Sequence, residues 1–315
     1  MHNKFRSLSR LAAAIVVAAT SLSAHAMYFV KGDTYTSNYF SRTINHYDAS
    51  GKFVDSMIVP SNYGSQVKGL TFGNDGLLYA VTVQNSGFGV IALDQAGHVE
   101  HSYTGPGYIG SNLSYGKITF GANGNFYVAA ADSLVEFTPG SSTGKVISQS
   151  YEYVDSALMP SGDLLTLSAY GIKEVTATGS FVRSINPNIM LTDARGIAYD
   201  ASTNDIYVSM IGDTSDLFRL LRIDGTTGKV EKNVSFWYAD DLYLTSDDRL
   251  LVGSRTLAPE FFDLDLNPLS SLGTQQQMFV TMDAVPEPSE FVLIGSGIFV
   301  LLGLARRRAA KKSSH

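Results

Sequence analysis

Cysteine is absent from all 315 residues. No disulfide braces the chain, so its folded part depends on its own core. Histidine is scarce. Of six residues only His46, His98 and His101 lie between the two termini discussed below, and His25 falls in the leader. His98 and His101 are close enough in sequence to share a metal but have no third ligand, which makes a surface role the simpler reading. No H-E-x-x-H helix, G-x-S-x-G elbow or phosphate loop occurs. Basic residues are few once both ends are set aside: 15 Lys and Arg against 27 Asp and Glu, about −12. That balance argues against nucleic acid and anionic lipid as partners. Long charge runs and low-complexity segments are missing too, and there is no obvious linker before residue 285.

What is present begins with the ends. Lys4, Arg6 and Arg10 form a basic start, Leu11 to Ala19 an apolar run, and Ala24-His25-Ala26 a small-x-small cleavage site. This is the layout of a secretory signal peptide over residues 1–26, with Met27 as the mature start. At the other end come Val285-Pro286-Glu287-Pro288, an apolar run from Phe291 to Ala305, and a basic tail with Arg306, Arg307, Arg308, Lys311 and Lys312. The run is shorter than the ~20 residues that span a bilayer comfortably. The cations behind it mark a cytoplasmic flank, and the two prolines set it off from what precedes it.

A Pro-Glu-Pro signal, a short apolar stretch and a basic tail, in that order, resemble the PEP-CTERM sorting signal of Gram-negative bacteria. The resemblance covers residues 285–315. It implies recognition by an exosortase, a transient stay in the inner membrane, removal of the tail, and delivery to the cell surface or extracellular matrix. An ordinary, uncleaved C-terminal anchor is the alternative.

Residues 27–284 are self-similar. Gly69-Leu-Thr-Phe-Gly-Asn-Asp-Gly-Leu-Leu-Tyr79 returns as Lys117-Ile-Thr-Phe-Gly-Ala-Asn-Gly-Asn-Phe-Tyr127. Drifted copies begin at Ala157, Gly196 and Asp241. A spacing of roughly 39 to 48 residues suits the four-stranded blade of a β-propeller. Each copy gives two strands joined by a turn rich in Asn, Asp and Gly, which tolerate positive φ. A third strand follows, then a Gly turn and a fourth, as in Gly97-His-Val and Gly228-Lys-Val. The pattern resembles NHL-type and related propeller repeats.

The fold expected is therefore all-β: a single propeller over 27–284, of six four-stranded blades with five or seven left open, flanked by a signal helix and a sorting helix. One blade is split between the ends. Gln277–Asp283 supplies its first strand and pairs with Met27–Val30, which closes the ring and hides its edges.

Loops leading into the inner strands of a propeller line the mouth of its channel. Here they carry Gln66 and Lys68, Tyr115 and Lys117, Asp155, Asp193 and Arg195, and Asp240 and Asp241. Such a mixed-charge ring suits a polar ligand or simply solvates a channel. Most aromatics repeat at blade positions and belong to the core. Tyr103, Tyr108, Tyr115 and Trp237-Tyr238 are expected in loops, where Tyr and Trp can stack on a sugar ring. The expected ligand site is thus Lys68, Tyr115, Lys117, Asp155, Asp193, Arg195, Trp237, Asp240 and Asp241.

The leading expectation is a surface propeller that binds an exopolysaccharide or a matrix protein, with no cofactor and no catalysis. The alternative is a secreted hydrolase similar to gluconolactonase-type propellers, with an axial Ca2+ held by Asp155, Asp193, Asp240 and Asp241. Lys68, Lys117 and Arg195 argue against it. A purely structural matrix component is the third possibility.

Overall fold

A computed structural model of the protein describes residues 29–282, apart from 39, 85–86, 107–115, 169, 186–189, 192 and 212–218. Both expected terminal helices lie outside the described residues. So do Ala24, Ala26, Val285, Pro286, Glu287, Pro288, Arg306, Arg307 and Arg308, and the loop residue Tyr115. Among the described residues no helix is long and apolar enough to cross a membrane.

The described chain is all-β, with one 3-10 turn at Ser61–Tyr63. The strands run β1 (Thr34–Ser37), β2 (Thr43–Tyr47), β3 (Phe53–Ile58), β4 (Val67–Phe72), β5 (Leu78–Gln84), β6 (Gly87–Leu93), β7 (Val99–Gly105) and β8 (Ile118–Phe120). Two long strands follow, β9 (Phe126–Phe137) and β10 (Lys145–Leu158), then β11 (Leu164–Ser168), β12 (Gly171–Val175) and β13 (Phe181–Ile185). The remainder are β14 (Ala194–Asp200), β15 (Asp205–Met210), β16 (Arg219–Asp224), β17 (Val230–Ser235), β18 (Ala239–Leu244), β19 (Arg249–Ser254), β20 (Glu260–Asp263), β21 (Pro268–Ser271) and β22 (Phe279–Met282).

These strands form a propeller-like ring of antiparallel sheets. The inner strands β4, β8, β10, β14, β18 and β22 touch one another in cyclic order, and β22 returns to β4. Apolar side chains fill the seams between sheets. Tyr79, Phe88, Phe126, Val128 and Phe137, for example, form one cluster across the seam between β4–β7 and β8–β9. Tyr103, expected in a loop, lies in β7 and is buried in this cluster.

Two expectations are corrected. Four sheets stand as separate four-stranded units, not six; residues 118–185 form one six-stranded sheet in the order β13-β12-β11-β10-β9-β8. The cause is continuity of extended backbone. β9 pairs with β8 through its first half and with β10 through its second, the two halves separated by Ala131 at φ 42°. β10 in turn pairs with β9 and, past a bulge between Tyr153 and Asp155, with β11.

The second correction concerns ring closure. β22 does come from the expected C-terminal segment, but its partner is β1, in the register Thr34↔Met282 to Ser37↔Phe279, and not Met27–Val30. The Lys31-Gly32 turn, with Gly32 at φ 88°, reverses the chain before the strand begins. Phe29 packs edge-on against Tyr35 and Phe72 instead of pairing in the sheet. The order β22-β1-β2-β3 thus joins the two ends of the chain in one sheet.

The expected turns are in place. Gly76, Gly124 and Gly162 take φ of 80°, 81° and 88°, and Asp248 takes 60°. At the other hairpins Asp94 and Asp224 accept backbone N–H bonds from the turns they open, at 2.7–2.8 Å. These turns all lie on one face of the ring. The β1–β2, β11–β12 and β19–β20 connections, and those leading into β14 and β18, lie on the other, because antiparallel order alternates the ends. That second face is the mouth.

Candidate functional site at the mouth of the ring

Residues foreseen as one exposed ring occupy two levels. The inner level is a buried plug. Lys117 Nζ stands 3.4 Å from both Asp155 Oδ2 and Asp241 Oδ1. It also donates to the carbonyl of Leu242, and to that of Ile197 at 3.5 Å. Asp155 accepts the backbone N–H of Ser156 at 2.7 Å and of Ile197 at 2.8 Å. Asp241 accepts those of Leu242 at 2.9 Å and Val280 at 3.0 Å.

Two buried carboxylates and a partly buried ammonium in contact shift one another. Burial pushes the Asp155 carboxyl up to about 7 even though Lys117 pulls it down, with Asp241 adding repulsion. Burial raises Asp241 as well, again against Lys117. Burial works against the Lys117 ammonium, yet the two carboxylates hold it above the usual lysine range. Lys68 is wholly buried, and desolvation pushes its ammonium down to about 8. The structure thus places Lys68, Asp155 and Asp241 in the interior, with the partly buried Lys117 reaching in to the two carboxylates.

The outer level runs from the buried Asp240 out to the exposed Trp237. Asp240 is buried, but it is gripped by Arg255, whose Nε donates at 3.0 Å to Oδ1 and whose backbone N–H donates at 2.8 Å to Oδ2. Burial raises the Asp240 carboxyl, and Arg255 and Arg195 pull it back. Arg195 reaches Asp193 at 3.5 Å, and Asp193 sits at φ 62° in the turn before β14. The Arg255 guanidinium lies 5.7 Å above the Tyr238 ring, a cation–π distance. The Trp237 ring lies 6.4 Å from that of Tyr238, and Ser254 Oγ fixes the loop through the Trp237 carbonyl at 3.0 Å. Of the foreseen residues, Asp193, Arg195, Trp237 and Asp240 thus meet at one rim.

Sequence reading missed Arg255, which follows the last residue of β19 where the repeat carries no signature. It also missed Phe40, Tyr170, Met190 and Leu257, each exposed in a connection on the mouth face. Their common feature, a large apolar residue at the same end of different blades, becomes visible only once strand order is known. His46 was also passed over: it is buried, and its ring nitrogens bridge Asp33 at 2.8 Å and Asp55 at 3.0 Å, tying the closing sheet together.

For a divalent cation the donor set is poor. Among the described residues no three acidic or histidine side chains gather as a metal site. Between Asp155 and Asp241, where an axial ion would sit, stands the ammonium of Lys117.

No protein-family model matches the chain, and no curated protein matches its sequence. Solved structures share its fold. A protein of unknown function from Bacteroides caccae aligns with TM-score 0.58 at 10% identity, over 80% of this chain and 98% of that one. Virginiamycin B lyase from Staphylococcus aureus aligns at 0.53 and 16%, over 77% and 81%. A chain of the nidogen/laminin complex aligns at 0.60 and 12%, over 79% and 97%. At these identities the likeness is one of fold, and its bearers differ in function.

Proposed function

We propose that this is an exported, exosortase-processed protein of the Gram-negative cell surface or extracellular matrix, whose propeller binds a glycan or protein of that matrix through its mouth face without turnover. The inner membrane and the exosortase are its transient partners. The address rests on the signal-peptide layout and on the resemblance of residues 285–315 to a PEP-CTERM signal. We read the ring as six blades, two of them merged in the six-stranded sheet. The cyclic contacts of six inner strands support this.

One observation carries the binding reading. Phe40, Tyr170, Met190, Trp237 and Leu257 are 73%, 72%, 78%, 55% and 41% exposed, and all stand in mouth-face connections. Elsewhere among the described residues, the large exposed apolar side chains are Val30 and, on the outer strands of three sheets, Phe53, Val54, Ile58, Phe181, Val182 and Leu269. Large apolar groups gathered on one face and bordered by Arg195, Arg255 and Asp193 are the usual mark of an interaction surface. A hydrolase with an axial cation gains no comparable support, since Lys117 fills the space between the carboxylates.

The test is a pull-down of native matrix polysaccharide and matrix proteins with the wild type and with a Tyr170→Ala, Met190→Ser, Trp237→Ala triple variant. Loss of capture at unchanged Tm supports the reading. Equal capture by both proteins moves the site off this face, and cation-dependent hydrolysis of a lactone or ester by the wild type would replace binding with catalysis.

A further inference from the structure

On the face away from the mouth, the seam between β7 and the β8–β9 hairpin opens into a cleft of ≈ 620 Å³. That is within the roughly 300–1,000 Å³ typical of small-ligand sites. Its floor is aromatic: Tyr79, Tyr103, Phe120 and Phe126 line it. The rings hold one another at fixed angles, with Tyr79 and Phe120 edge-on at 4.9 Å and Tyr103 and Phe126 at 5.1 Å. The Tyr79 hydroxyl donates to Asp75 Oδ2 at 2.8 Å, which locks that ring in place.

The width of the seam is set by backbone. Thr104 N–H donates to the Ser142 carbonyl at 2.9 Å, and Gly144 N–H donates to the Thr104 carbonyl at 2.9 Å. The outer strand of one sheet is thereby tied to the turn of the next, and the cleft lies beside this tie as a preformed space.

Around the opening stand Asn74, Glu100, His101, Ser102 and Ser141. Glu100, His101 and Ser102 are exposed residues of β7. Among the described residues no lysine or arginine lines the cleft, so a phosphate, sulfate or uronic acid finds no counter-charge from them. Asp75 is committed to the Tyr79 hydroxyl and the Leu77 N–H, which leaves Glu100 as the one carboxylate at the rim without those ties and makes an organic cation a poor fit. An apolar aromatic floor surrounded by an amide, an imidazole, hydroxyls and a carboxylate offers donors and acceptors in mixture. That combination matches a ring with C–H faces and many hydroxyls.

We propose that this cleft is a binding site for a neutral hexose unit, separate from the mouth face and assigned by its own lining. The sugar lies over the partly exposed Phe120 and the edges of Tyr79 and Tyr103, and Glu100 and His101 hold its hydroxyls.

Saturation-transfer NMR on the full chain, with glucose, galactose, mannose and their disaccharides as probes, tests this. At least one probe is expected to bind. Glu100→Gln with His101→Ala, two exposed positions, should weaken it about tenfold or more, the scale of losing a hydrogen bond to a charged group. Ser142→Trp, which fills the opening from an exposed turn, should abolish it, with Tm within a degree or two of wild type in both variants. The same measurements are made in the Tyr170→Ala, Met190→Ser, Trp237→Ala background, where a sugar held at the mouth no longer contributes, and binding there is expected to persist. Binding of none of the neutral probes overturns the proposal. So does binding in that background that survives Ser142→Trp, or a preference for tetramethylammonium over every sugar.

Discussion

Asp155 accepts the backbone N–H of Ile197 at 2.8 Å, and the two residues belong to neighbouring sheets. The inner edge of β14 has no strand beyond it, so its N–H groups need another acceptor. A carboxylate from the preceding inner strand supplies one. Asp241 repeats the arrangement toward Val280 of β22, the strand that closes the ring. Lys117, which precedes the adjoining inner strand β8 and reaches across the axis to β18, neutralises part of the charge that two such staples bring into the interior. What the sequence presented as a ligand-binding ring is therefore part of the means by which the inner strands are joined.

Asp241→Ala should accordingly cost stability and not merely affinity. It strands Lys117 with one carboxylate and leaves the Val280 N–H without its acceptor. Removing one partner of a buried ion pair costs ~3–5 kcal/mol. Trp237→Ala, at an exposed site, should stay within about 0.5 kcal/mol of wild type. Guanidinium unfolding of both variants checks the contrast, and an Asp241→Ala protein as stable as wild type would show that the plug is not structural.

The same plug should give the protein an acidic-side pH dependence. The folded Asp155 carboxyl, at about 7, lies above its unfolded value near 3.8. The folded state therefore keeps a proton that the unfolded chain has already released. Its contribution is present below pH 4 and is lost as pH rises from about 4 to about 7. Asp155→Asn should flatten that limb in urea titrations run across the window. Lys68 acts in a different range: its folded value near 8 lies below the usual 10.5, so stability should rise between those two values as the unfolded chain gives up its extra proton. Lys68→Met should remove the alkaline limb and leave the acidic one. A wild-type profile flat from pH 4 to 10 would contradict both assignments.

Ring closure predicts an all-or-none response to truncation. Ending the chain at residue 276 removes Met278, Phe279, Val280 and Met282, all buried. Each such side chain is worth about 1.5–3 kcal/mol on burial, so their sum is comparable to the whole stability of a domain, about 5–15 kcal/mol. The truncated protein should lose its cooperative melt. Gly253→Ala probes the same contact more gently, because a methyl there overlaps the Met278 carbonyl, and it should lower Tm while keeping a single transition. A truncated chain that melts like the intact one would mean that β22 is dispensable.

Much of this architecture was legible in the repeats. Gly73-Asn-Asp-Gly76 and Gly121-Ala-Asn-Gly124 announced hairpins because few residues accept their backbone geometry. The closing strand was legible too, since Met278-Phe-Val280 has nowhere polar to go. Its partner was not. Met27-Tyr-Phe-Val30 has the more strand-like composition, but Thr34-Tyr-Thr-Ser37 takes the sheet position, and its hydroxyl side chains are buried there. The division of the mouth into plug and rim was hidden for a different reason. Asp240 and Asp241 are adjacent in sequence, yet a bulge between Ala239 and Asp241 directs one to Arg255 and the other to Lys117. A one-residue change of register decides which carboxylate is structural, and no composition or spacing records it.

Processing at both ends is the final prediction, and it leaves a charge signature as well as a mass. Cleavage after Ala26 and near Pro286-Glu287-Pro288 removes eight of the 23 basic residues but only two of the 29 acidic ones. The net charge moves from −6 to about −12, so the mature form should focus well below the full chain, whose pI is about 5.5. The run of fifteen residues from Phe291 to Ala305, interrupted by Gly295, Ser296, Gly297 and Gly303, is shorter than the ~20 that hold a span securely. Permanent anchoring by that run alone is therefore weakly favoured, and on the proposed route the Arg306–Arg308 cluster would orient it for cleavage. Intact-mass measurement of surface material from the native host should find neither end. Replacing Pro286 and Pro288 by Ala should leave a larger, less acidic form in the inner membrane fraction. Surface protein that still carries Arg306, Arg307 and Arg308 would identify the tail as a permanent anchor, and the matrix address would fall with it.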